Sequence, residues 1–212
     1  MGRRVEHNRR ISNDRVRKVR KQKSKILIAA EGKNKTEKTY FSNFEDGKKS
    51  YSITYARGNN TDPLKLVKML IKEIDNLKLD LLEDDVAYCI FDTDIDPNKN
   101  KIIEEAIQLA NKNNIKIITS SPCIELWFLI HYEYTTANMN NEEVIKRLKT
   151  YYLKYAKNIN IYPDIVEKTK LAITRAKKLE KYHITNNRKI GYVDANPNTE
   201  VYKIVEYLIS RS

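Results

Sequence analysis

Cysteine is scarce in this chain, with two among 212 residues. Cys89 and Cys123 lie in apolar surroundings without metal-ligand spacing. That argues against a disulfide scaffold and reads as two reduced core thiols of a cytosolic protein. Long hydrophobic runs are missing as well: no stretch approaches the roughly 18 apolar residues of a membrane span. No apolar segment follows the basic residues at the start, so neither a secretory signal nor a membrane partner is expected. There is no internal repeat, and the basic leader is the only biased tract. The mean hydropathy of −0.66 marks a polar surface, while 41% apolar residues suffice for a core. At this length the expectation is one α/β unit with a smaller appendage.

The net charge of +12 is uneven. Residues 1–25 carry eleven Arg or Lys against Glu6 and Asp14, and the remainder is close to balance. An arm bearing Arg3, Arg4, Arg9, Arg10, Arg15, Arg17, Lys18 and Arg20 suits a polyanion, held through phosphate contacts and counterion release. A solvated leader is the plainer alternative.

After the arm, short apolar runs alternate with helical segments. Strands are expected at 25–30, 51–56, 86–91 and 115–119. Helices are expected at 36–46 with Thr36 as N-cap, from Asp62-Pro63 with Leu64, Val67, Leu70, Ile71 and Ile74 as its stripe, and from Pro97 to about Asn113. This rhythm predicts an α/β fold, a parallel sheet with helices on both faces. Further helices are expected at 123–133, 141–157, 164–181 and 197–210. The resulting division is a basic arm at 1–24, an α/β core at 25–121, and a helical part at 122–212 packed on it.

Two acidic clusters follow apolar runs: Glu31 after Ile26–Ala30, and Asp92, Asp94 and Asp96 after residues 86–91. Carboxylates at the ends of parallel strands reach the rim where α/β folds bind ligands. Side chains two apart on an extended chain point the same way, so Asp92 and Asp94 are placed to share one hard cation. Magnesium binds through one or two carboxylates plus phosphate, with Mn²⁺ the alternative ion and Asp96 a further candidate ligand. Glu31 would be a ligand or a general base. The same triplet opens calcium loops, but Pro97 and Ile103 stand where glycine and Glu are required. An acidic turn capping the next helix is the modest alternative. A haloacid-dehalogenase-type phosphatase, with Asp92 as nucleophile, is a rival, although Asp96 and the third-strand position depart from that motif.

Gly32 permits a tight turn after Glu31. The helix start near Thr36, with Lys33 and Lys35, offers an anion both amides and charge. Strand, Glu-Gly, helix, and later strand, Asp-x-Asp: this pattern resembles the Toprim fold, in which the first Glu and the Asp pair organise magnesium for phosphodiester chemistry. The string Ser120-Ser121-Pro122-Cys123-Ile124-Glu125-Leu126-Trp127-Phe128-Leu129-Ile130-His131-Tyr132 narrows the resemblance to the RloB-like family of Toprim-type proteins from bacterial restriction and abortive-infection loci. The basic leader, Thr36-Glu37-Lys38-Thr39-Tyr40-Phe41 and Ala195-Asn196-Pro197-Asn198-Thr199 agree with it. The turn at 32–36 is a residue longer than the family's, leaving open whether Lys33 or Lys35 approaches the site.

The resemblance implies a cytoplasmic, magnesium-dependent nuclease acting on RNA or DNA in antiviral defence. It also implies a nearby-encoded ATPase as partner; a homo-oligomer is open. A subunit that binds nucleic acid or a nucleotide without cutting is the alternative from another class. Glu125, Glu37 and His131 are possible site neighbours. Capping is the simpler role for Glu125, a structural one for His131, and Trp127 reads as core. Lys177 and Lys178, on a helix also bearing Lys168, Lys170, Arg175 and Lys181, would line a nucleic-acid groove or form a solvated face. The 14 tyrosines suit base stacking or plain packing.

Overall fold

A computed structural model describes residues 23–31, 35–94, 96 and 98–211. Its centre is a five-stranded sheet in the order β2-β1-β3-β4-β5. The strands β1 (Ser24–Ala30), β2 (Tyr51–Tyr55), β3 (Val86–Asp92) and β4 (Lys116–Ser121) run parallel. The α/β expectation holds. The two-residue strand β5 (Asn198–Thr199) pairs antiparallel with β4, joining Ser120 to Thr199 and Ser121 to Asn198. The helix expected at 197–210 is shortened by this strand. The helix α8 (Val201–Ser210) in fact begins after this strand.

Helices cover both faces. On one, α2 (Pro63–Leu77) and α3 (Lys99–Lys112) seal Leu27, Ala29, Ala87, Cys89 and Phe91. Asp62 caps α2 by accepting from the Lys65 amide at 2.8 Å, with Pro63 opening the helix, the arrangement its sequence predicts. On the other face, Ile26, Ile28, Tyr88, Ile90 and Ile118 meet α1 (Lys35–Phe41), α4 (Glu125–Leu129), α8 and the helices α5 (Asn141–Tyr151), α6 (Tyr162–Ile165) and α7 (Thr169–Thr185). Trp127 is fully buried there, as its apolar neighbours predict. The expected helix at 36–46 ends at Phe41 and continues as a 3-10 turn to Phe44, with Thr36 inside its first turn rather than capping it. The expected 164–181 helix is divided between α6, a 3-10 turn and α7. No helix among the described residues is long and apolar enough to cross a membrane.

The alternation along β3 decides where its terminal acid points. Tyr88 and Ile90 face the α1/α4 side, whereas Cys89 and Phe91 face α2 and α3. By the two-residue period Asp92 follows Tyr88 and Ile90, and it meets carboxylates brought by α1 and α4.

Candidate active site

Strand β1, with Ile26–Ala30 at most 1% exposed, delivers Glu31 to the sheet rim. Its Oε1 is buried without a hydrogen-bond partner. Burial pushes the carboxyl up to about 7, partly offset by the charge of Lys99. Asp92, at the end of the adjacent β3, is held well above the ordinary carboxylate range, by burial first and then by repulsion from Glu31, Glu37, Glu125 and Asp94. Glu37, 8% exposed on α1, is likewise raised by burial to about 7. Glu125, 3% exposed in the first turn of α4, accepts from the Tyr155 hydroxyl at 3.0 Å. These four acids line one cavity of about 500 Å³, and Lys35 and Lys157 share its wall. Buried like charges of this density are costly without a cation or protons to neutralise them.

Asp94 behaves differently. Side chains two apart share a direction only while the backbone stays extended, and β3 ends at Asp92. Asp94 has a left-handed φ of 51°, and its amide donates to the Pro122 carbonyl at 3.2 Å. Its Oδ2 is ion-paired with Lys99 at the head of α3, and its Oδ1 accepts from the Asn141 amide group at 3.1 Å. Asp94, Asp96 and Lys99 line a second hollow, also of about 500 Å³, which meets the first at Glu31 and Thr61. Asp96 is exposed and accepts from the amide and side chain of Asn98 at 3.0 and 2.9 Å, an acidic turn leading into α3. The four expected ion ligands are therefore spread over two hollows that share Glu31, with Asp92 in the first and Asp94 and Asp96, each held by other partners, in the second.

His131 lies away from the cavity, 1% exposed, its ring edge-on to Trp127 at 4.8 Å and its Nδ1 2.8 Å from the Trp127 carbonyl. Burial lowers its pKa to about 4, so it is a neutral core side chain rather than a site neighbour. Lys177 is tied to Glu206 at 2.6 Å, and Lys178 lies over the Tyr134 ring. Lys33 and the arm residues Arg3, Arg4, Arg9, Arg10, Arg15, Arg17, Lys18 and Arg20 lie outside the described residues.

The model of the RloB-like protein family matches residues 26–208. The chain belongs to the RloB-like family. No curated protein and no solved structure matches it.

The matched span takes in both hollows. Among the described residues of this RloB-like chain, no three Asp, Glu, His or Cys side chains are arranged to hold an ion. The donor chemistry nonetheless suits a hard divalent cation. Glu31 and Asp92 supply two carboxylates, one with an unpartnered buried oxygen, and magnesium needs no more than one or two beside water and phosphate. Asp94 would join them on release from Lys99 and Asn141. Among the neighbours without a place in the sequence expectation are Lys99, Asn141, Tyr155 and Lys157. Lys99 had a local signal, five residues after Asp94 at the head of the following helix. The others reach the rim through tertiary packing of α5 and the loop after it, which no local pattern encodes.

Proposed function

We propose that this RloB-like protein is a magnesium-dependent nuclease of Toprim type. It would cleave phosphodiester bonds of nucleic acid in the bacterial cytoplasm as the effector of an antiphage, abortive-infection system, with an ATPase encoded nearby as partner. The observation that carries the reading is the pairing of Glu31 and Asp92 at adjacent strand ends in one cavity with Glu37 and Glu125, beside Lys35 and Lys157. Glu31 and Asp92 would hold the ion, which when bound supplies Lewis-acid polarisation of the phosphoryl oxygens. Glu31 is a ligand in this reading or, left free of the ion, the base that takes a proton from attacking water. Lys35 and Lys157 would balance the charge of the scissile phosphate.

The ion pair of Asp94 with Lys99 favours one second reading, a subunit that binds nucleic acid or a nucleotide without cutting. Incubation of the purified protein with labelled RNA and DNA, with and without Mg²⁺, separates the two. Cleavage that needs the ion and disappears in Asp92→Ala supports the nuclease; cleavage that survives this substitution rejects it. Binding without cutting of either polymer supports the second reading.

A further inference from the structure

Away from the acidic cavity, the exposed face of α7 lies beside the chain that leaves α4. Lys168 stands over the Tyr132 ring at 4.3 Å and Lys178 over the Tyr134 ring at 4.2 Å. Tyr132 is stacked on Tyr151, the last residue of α5, with centroids 5.2 Å apart and planes 8° from parallel. Between the two lysines along α7 sits Leu171, 47% exposed. Arg175, a turn further on, is anchored by donating to the Ile130 carbonyl at 2.8 Å. Its guanidinium and the Lys168 ammonium both lie close enough to buried His131 to act on it.

Most of the acids around this strip have partners of their own. Glu133 is taken up by Arg147 at 2.7 Å and by the Tyr151 hydroxyl at 2.9 Å. Glu180 turns to Tyr202 and Lys203 on the far side of α7. Asp164 accepts from Tyr152, and both it and Glu167 are exposed acids near the strip. Lys168 and Lys178 are engaged by rings, with no ion pair among the described residues. The segment that follows Tyr151 runs from the strip to the cavity: the Tyr155 hydroxyl reaches Glu125 and Lys157 lines the acidic hollow.

We propose that the strip formed by Lys168, Leu171 and Lys178 with Tyr132, Tyr134 and Tyr151 binds single-stranded nucleic acid and leads it along residues 151–157 toward the acidic cavity. The assignment rests on the reading of nucleic acid as the substrate, and it names unpaired strands as the class. The chemistry for a single strand is present in both parts. Ammonium groups at the two ends of the strip suit a phosphate backbone, and Tyr151, 47% exposed, offers a ring on which an unstacked base can stack. A duplex hides its base faces and would use only the charges. Of the expected contacts on this helix, Lys168 and Lys178 fall on the strip, whereas Lys177 faces Glu206 and Tyr202.

The test is fluorescence anisotropy of the full chain with a labelled, mixed-sequence single strand of about 20 nucleotides, a length suited to such grooves. It is run in EDTA so that neither metal nor cleavage enters. Lys168→Glu/Lys178→Glu should weaken binding on the order of tenfold or more and flatten its salt dependence. Lys68→Glu/Lys72→Glu, the same charge change on exposed positions of α2, should cost far less. Tyr151→Ala should weaken the single strand while leaving the annealed duplex unchanged, and thermal melting confirms that each variant folds. Equal loss in the α2 control, unchanged binding in the strip variant, or a duplex bound as tightly as the single strand overturns the assignment. A strip that passes while no cleavage is found with Mg²⁺ would reject the nuclease reading alone.

Discussion

The hydroxyl of Tyr155 donates to Oε1 of Glu125 across 3.0 Å, joining the loop after α5 to the first turn of α4. Both residues are at least nine-tenths buried. A carboxylate in such a position needs its hydrogen bond more than an exposed one would. Tyr155→Phe removes the donor with little change in shape. Chemical denaturation should show a loss of about 1–3 kcal/mol.

Lys99 is the internal counter-ion of Asp94. If Asp94 must leave Lys99 to meet a divalent cation, the lysine competes with that cation. Lys99→Met should therefore raise Mg²⁺ affinity, about threefold to tenfold for the 0.7–1.4 kcal/mol expected of a partly exposed pair. Calorimetric titration reads this directly; an affinity that falls instead would assign Lys99 to holding Asp94 in its working position.

Glu37 gives a pH signature with a definite sign. Its carboxyl is raised from 4.5 to about 7 by burial, so the folded state keeps a proton that the unfolded chain releases. The stabilising contribution of that proton is complete below about pH 4.5 and is lost as pH rises to about 7. Glu37→Gln removes the penalty for burying the anion. In EDTA the variant should be more stable than wild type at pH 8, by at most about 3 kcal/mol for a shift of this size. The difference should shrink toward pH 5. Equal stabilisation at both pH values would contradict the assigned titration.

The same acids make ion uptake proton-linked. Glu31 is raised to about 7, so a cation binding there at pH 6 must displace a proton. Mg²⁺ affinity should fall as pH drops from 8 to 6, approaching tenfold per unit for each proton released. Binding measured in buffers of different ionisation enthalpy should report that release. Asp92→Asn, by removing one of the repelling charges, should raise the melting temperature in EDTA while abolishing uptake, the usual opposition of stability and site chemistry.

The strands and the acids they deliver were legible because buried parallel strands read as short apolar runs. Residues 26–30 and 86–91 announced both their burial and their ends. The relation of Asp92 to Asp94 was less so. Period-two reasoning assumes an extended chain, and the left-handed turn at Asp94 sends its carboxylate to α3 and α5 instead. Residues 123–133 read as one helix because they are largely apolar, broken only by Glu125, His131 and Glu133. Yet α4 stops at Leu129 and its last turns close through Ile130, His131 and Tyr132. β5 offered almost nothing to read: two residues become a strand because β4 has an open edge for them. The pairing is reinforced where Thr119 donates to the Glu200 carboxylate through its amide and hydroxyl.

That late pairing has a consequence for biosynthesis. When a ribosome has released the chain through Ser121, four strands and three of the four cavity acids are out, but the outer edge of β4 still shows unmatched amides and carbonyls to solvent. It stays so until Asn198 and Thr199 emerge, after every helix but the last. A chain halted before that point would carry an adhesive border of the kind that recruits other strands. Aggregation of nascent or truncated forms, rather than loss of chemistry, is the failure to expect from damage near residue 198.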